Sequence, residues 1–304
     1  MPWNFEQVAG PFDFTEGPAW DGEALFFTDI PTSRILRYDP QNGETSVFHT
    51  GTNEANGLMF DKDGQLYACE GGDGVTFPKE GQNYATDGRR MVRYEKDGST
   101  TVILDQFEGQ RFNSPNDLAF DALGRMWFTD PRYGNKSDDL DLDHQSVYRA
   151  DQQIDGTWDL HRITYDTTKP NGLLISEDMK TLYVAQSAYA AVEATELRAY
   201  AINDDGIASE YQILHNFQPY RGVDGMVFDT EGNIVATAGY HEGGPGPMIY
   251  VFAPSGLVLA THTIPLLPSN CTFGDEDLQS LYVTAGGRLW RAHTERKGSL
   301  IYPN

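Results

Sequence analysis

One phrase occurs six times in this chain, and no other feature limits its fold as sharply. Each copy runs from a short polar anchor into an apolar strand, an acidic or glycine turn, and a second apolar strand. The copies read EGPAWDGEALFFTD from Glu16, NGLMFDKDGQLYACE from Asn56 and NDLAFDALGRMWFTD from Asn116. They continue as NGLLISEDMKTLYVAQ from Asn171, DGMVFDTEGNIVATAG from Asp224 and NCTFGDEDLQSLYVTA from Asn270. Successive anchors stand 40, 60, 55, 53 and 46 residues apart, close to the ~40–50 residues of a propeller blade.

Each copy reads as hairpins. Asp-Lys-Asp-Gly at 61–64 and Asp-Thr-Glu-Gly at 229–232 supply the residues that tight turns need for positive φ. A third strand follows in RILRYDP (34–40), RMVRYEK (90–96), SVYRAD (146–151), LRAYAIN (197–203) and MIYVFAP (248–254). A fourth precedes the next anchor as TSVFHT, TTVILD, LHRITYD, YQILHN and LATHTI. Four strands per unit make a blade. The last copy has RLWRAHT (288–294) as its third strand and then runs out of chain, but FEQVAG (5–10) stands before Glu16 as YQILHN stands before Asp224. The expectation is therefore an all-β, six-bladed β-propeller of four-stranded blades. Its ring is closed by the N-terminal strand, and residues 1–304 form a single domain because no blade buries its faces alone.

Composition narrows the partners. A net charge of −23 opposes binding to nucleic acid, whose phosphates need Lys and Arg, and to an anionic membrane. Acidic surfaces draw cations toward a cleft, though they more often serve solubility. No apolar run reaches the ~18–20 residues of a membrane span. MPWNFEQVAG lacks the charged and apolar regions of a signal peptide, so a cytoplasmic protein is expected, as a monomer or small homo-oligomer. The two cysteines, Cys69 and Cys271, sit in strand-like runs and read as small hydrophobes. Trp20, Trp127, Phe120 and Phe228 read as core.

In a propeller the innermost strands line the central channel, so an anchor at the start of each would lie near one mouth. Glu16, Asn56, Asn116, Asn171, Asp224 and Asn270 would converge there, two carboxylates and four amides. Such oxygens suit a hard divalent cation, Ca²⁺ before Mg²⁺, with Mn²⁺ or Zn²⁺ as alternatives. Zinc usually brings His or Cys. Any one Asn-Gly or Asp-Gly anchor, taken singly, is better read as a turn residue. Carboxylates at only two of six positions fit that simpler reading poorly.

The segments FTEGPAW (14–20), NSPNDLAF (113–120), WFTDPRYG (127–134), KPNGLLIS (169–176), VDGMVFD (223–229) and SNCTFG (269–274) resemble the SMP-30/gluconolactonase/luciferin-regenerating-enzyme family. The resemblance spans nearly the whole chain in unchanged motif order. It implies a metal held by Glu16, Asn171 and Asp224. It also implies that Asn116 is a fourth ligand, as in organophosphate-hydrolysing members, or a substrate contact, as in the lactonases. Animal members carry Arg-x-Asn-Asp where this chain has Ser114-Pro-Asn116-Asp117, so their substrate-binding Arg is absent. Arg111, three residues before Ser114, is the candidate replacement.

Other constellations carry less. No Gly-x-Ser-x-Gly elbow supports a serine hydrolase, and His241-Glu242 lacks the second His of a zinc-protease helix. Tyr133, Tyr240 and His241 follow second strands and are candidate substrate contacts in mouth loops; Asp130 and Arg132 stand beside Tyr133 in the same loop. The expected activity is metal-dependent hydrolysis of a sugar lactone, with Asp224 as general base and Glu16 chiefly a ligand. Phosphotriester hydrolysis at the same oxygens is the runner-up. A non-catalytic propeller with a structural metal is the alternative of another class.

Overall fold

The computed structural model describes residues 2–72, 88–133, 140–188 and 193–303, without the side chains of 244 and 245. Among the described residues the regular structure is all strand apart from one 3-10 turn at Ile30–Thr32. The turns form for the reason the sequence suggests. At 61–64, Asp61 Oδ1 accepts the N–H groups of Asp63 and Gln65, each at 2.9 Å, while Gly64 takes φ 71°.

The strands fall into six antiparallel blades. Blade one is Thr15–Trp20, Leu25–Asp29, Arg34–Asp39 and Glu44–Thr50, counted from the channel outward. Blade two is Ala55–Phe60, Leu66–Glu70, Arg90–Tyr94 and Thr100–Leu104. Blade three is Leu118–Phe120, Met126–Thr129, Val147–Gln152 and Trp158–Arg162. Blade four is Pro170–Ile175, Thr181–Ser187, Thr195–Ile202 and Ala208–Asn216. Blade five is Met226–Asp229, Ile234–Tyr240, Gly243–Phe252 and Val258–Thr263. Blade six takes Pro268–Gly274, Ser280–Ala285 and Arg288–His293 from the end of the chain and Glu6–Ala9 from its start.

The core lies between blades. Val235, Ile249 and Val251 of blade five pack on Phe273, Leu281 and Val283 of blade six, and each other junction has its own apolar cluster. Trp127 is wholly buried and donates its indole N–H to Asp121 at 2.9 Å. Cys69 and Cys271 are buried and free, as small hydrophobes. No helix among the described residues is long and apolar enough to cross a membrane.

Blade six closes as the repeat requires. Glu6 pairs with Arg291 and Gln7 with Trp290. Trp3, just before that strand, stacks on His262 with centroids 3.8 Å apart and donates its indole N–H to Glu295 at 2.9 Å. The repeat did not foresee what the other terminus does. Gly298–Ser299 pairs with Asp229 and Phe228 of blade five's inner strand, so that sheet has five strands. Leu300 and Ile301 then line the channel away from the mouth, and the Tyr302 ring lies 5.9 Å from Phe60 on blade two.

Deleting residues 1–10 removes blade six's outer strand and the Trp3 stack together. Losing a buried Trp alone costs about 3–5 kcal/mol. The melting temperature is expected to fall by roughly 10 °C, at ~2–4 °C per kcal/mol for a large domain. Calorimetry showing no fall would mean that the ring does not depend on this closure.

Candidate active site

The anchors meet because each blade is tied to the next at one mouth of the channel. Thr28 Oγ1 of blade one donates to Asn56 O at 3.1 Å, and Gly57 N–H donates to Asn116 O at 2.8 Å. Asn171 Nδ2 donates to the Tyr133 hydroxyl at 2.9 Å, linking blade four to the loop leaving blade three. Gly172 N–H reaches Asp224 O at 2.9 Å, and Gly225 N–H reaches Ser269 O at 2.8 Å. Ser269 Oγ closes the ring on Thr15 O at 2.8 Å. Glycine follows the anchor because the neighbouring blade leaves no room. A Cβ on Gly17 would stand 2.2 Å from Asn56 O, and one on Gly172 2.3 Å from Asp224 O. Register shifts after Glu16, Ala55, Pro170 and Pro268 mark bulges in four inner strands, the device that re-aims side chains next to functional sites.

A mouth cavity of about 260 Å³ results. Five anchors line it, Glu16, Asn56, Asn116, Asn171 and Asp224, with Tyr133 in the wall. The sixth behaves differently. Asn270 lies below the cavity in the channel beside Asp117, and its side-chain oxygen accepts the Cys271 N–H at 2.8 Å.

The floor is electrostatically strained. Burial pushes the Glu16 carboxyl well above its usual range, and the Asp224 charge adds to the rise. The Gly17 N–H, donating to Glu16 Oε2 at 2.7 Å, works against it. Asp224 is also raised by burial, and Arg221, whose Nη2 donates to Asp224 Oδ2, opposes the rise. Asp117 faces the channel and is pushed up to about 7, chiefly by burial. Two buried carboxylates that repel each other, with amide oxygens beside them, favour a hard cation between them. Among the described residues no three His, Cys, Asp or Glu side chains group to hold a metal by themselves. A cation here would draw on Asn171 and Asn116 as well.

Residues 14–287 match the family described as the SMP-30/Gluconolactonase/LRE-like region. The chain belongs to the SMP-30/gluconolactonase/LRE-like family. A gluconolactonase of Zymomonas mobilis is 32% identical, over 96% of this chain and 82% of its own. A pentonolactonase of Haloferax volcanii is 26% identical over 90% of this chain and 81% of its own. Among solved structures, a gluconolactonase of Xanthomonas campestris superposes with a TM-score of 0.79 at 30% identity, covering 96% of this chain and 89% of that one.

Within this family member the remaining expected residues are dispersed. Tyr240 lines a neighbouring cavity of about 450 Å³, which shares Phe14 and Asp224 with the mouth. Arg111 pairs with Gln106 in the small hairpin Gln106–Phe107 and Gln110–Arg111, and lines neither cavity. His241 is exposed and also lines neither. Asp130 is structural. Its carboxylate accepts the N–H groups of Asn113 and Ser114 at 2.8 and 2.7 Å and so fixes the loop before Asn116. Arg132 is buried and takes the Gln145 side-chain oxygen on its N–H at 2.6 Å, away from the mouth.

Sequence reasoning missed Glu54, Asp117 and Arg221. Glu54 brings a further carboxylate to the mouth from a left-handed backbone position, φ 56°. Asp117 could have been found, because it replaces the glycine that follows the anchor in four of the other copies. Arg221 lies outside the repeated phrase and left no signal.

Gly172→Ala tests the packing that places Asp224. The added methyl meets backbone, so the protein is expected to lose about 1–3 kcal/mol, seen as a lower melting temperature and a weakened site. Full stability in the Ala variant would mean that the neighbouring strands are free to part.

Proposed function

We propose that this protein hydrolyses a sugar lactone to the open-chain aldonic acid in the mouth cavity, using a divalent cation, Ca²⁺ first among them. The carrying observation is that Glu16, Asn116, Asn171 and Asp224, from four different blades, line one cavity. The relatives named gluconolactonase and pentonolactonase support the substrate class. Glu16, Asn171 and Asp224 would hold the cation, with Asn116 either completing the set or holding substrate. A bound cation would polarise the lactone carbonyl and offset the charge that develops on its oxygen.

Asp224 takes the proton from the attacking water and returns it to the ring oxygen as the C–O bond breaks. Its enclosure and raised proton affinity suit that exchange. Tyr133 fixes the Asn171 amide by accepting its N–H, which leaves the amide oxygen for the cavity. Asn116 and Asn56 offer amides to substrate hydroxyls within the cavity. Phe14 and Ile30 cover one side with apolar surface and limit water.

Acid release from a panel of aldonolactones and one phosphotriester, with and without chelator, tests this reading. Lactone hydrolysis should stop with chelator and return with added Ca²⁺. Asp224→Asn should cut the rate by ~10²–10⁴-fold even at saturating metal, whereas Glu16→Gln should be rescued by high metal. Hydrolysis indifferent to chelator would remove the cation from the reaction. An Asn variant as fast as the parent would remove Asp224 from it.

A further inference from the structure

Arg221 lies three residues before Asp224 and is buried with it, the side chains 8% and 9% exposed. Its Nη2 donates to Asp224 Oδ2. A buried carboxylate needs a counter-charge, and the need is greater here because Glu16 and Asp117 stand close enough to Asp224 to repel it. The guanidinium therefore neutralises the same carboxylate that the proposed function gives to a cation. Both cannot have it fully. A guanidinium and a divalent ion on one carboxylate repel each other in a site with little water to screen them.

The structure also provides somewhere for the side chain to go. Arg221 lines the neighbouring cavity of about 450 Å³, and Glu193 and Glu242 line that same space. A guanidinium turned away from Asp224 would enter a cavity already furnished with carboxylates. We propose that Arg221 is a built-in counter-ion that competes with the metal for Asp224, holding the carboxylate in the cation-free protein and turning into the side cavity when a cation binds. Arg221 is thus a positioning residue that sets metal affinity, and this rests on the reading of Asp224 as a metal ligand.

The consequence runs opposite to that of ordinary structural damage. Arg221→Met removes the competitor, so chelator-stripped protein titrated calorimetrically with Ca²⁺ or Mn²⁺ should bind about 10-fold more tightly, the order expected for removing one nearby like charge. The cation-free melting temperature should fall, because the carboxylates lose their partner, and the rise on adding Ca²⁺ should be larger than in the parent. Arg221→Lys, which keeps the charge, should bind close to the parent. In an Asp224→Asn background, Arg221→Met should bring no tightening.

Unchanged or weaker binding by Arg221→Met, while the parent binds, would overturn the competition alone. A parent that binds no divalent cation would overturn the metal reading and the competition with it. If Arg221→Met does not fold, the unmutated protein still decides. Crystals grown without and with Ca²⁺ should show the guanidinium on Asp224 in the first and in the side cavity in the second. A guanidinium still on Asp224 beside a bound cation would overturn the proposal.

Discussion

Everything at the mouth depends on how closely six inner strands are brought together. Each junction is tied by a hydrogen bond from one strand, or the loop beside it, to the next. They run from Thr28 to Asn56, Gly57 to Asn116, Asn171 to Tyr133, Gly172 to Asp224, Gly225 to Ser269 and Ser269 to Thr15. At that distance a side chain after the anchor is excluded, which explains the glycines. The same closeness forces the anchor side chains into one small space. The apolar clusters between blades supply the adhesion that holds the strands there. The polar residues of the mouth are thus placed by hydrophobic packing further out.

Two copies of the repeat escape the glycine rule, and both matter. Blade three has Asp117 after its anchor and blade six has Cys271. Asp117 puts a carboxylate into the channel, and Asn270 of blade six lines the same space. The departures give the mouth a polar second layer on one side. Burial makes that layer costly, since Asp117 is driven up to about 7. A carboxylate kept at such cost beneath Glu16 and Asp224 adds to the negative charge that the proposed cation would offset.

The legible part of the structure is the part that repeats. Six copies, their strand count and the closure by residues 5–10 could be read because apolar strands and acidic or glycine turns recur in fixed order, and the observed blades follow them closely. Five of six anchors line the mouth for the same reason. Asn270 was read as a sixth equal, and nothing in Asn-Cys warned that it would sit below. The tail at 298–303 carries no repeat, and its course under the channel follows from one short pairing with blade five and an aromatic contact with blade two. Arg111 was chosen by its nearness in sequence to Ser114, but a tight hairpin with Glu108 at φ 52° takes it elsewhere.

Floor and walls therefore answer to different constraints. Floor residues belong to the repeat, and moving one disturbs a junction between blades. Wall residues come from the segments between copies: Glu54, Ser114 and Pro115 around the mouth, and Tyr220, Arg221 and Tyr240 around its neighbour. Those segments differ in length from copy to copy, the longest interval being the 60 residues from Asn56 to Asn116. Replacing a wall residue leaves the inner strands in place. Arg221 is the exception that joins the two, a wall residue whose charge acts directly on a floor carboxylate. Through it, a change outside the repeat reaches the proposed metal site without disturbing the ring that builds it.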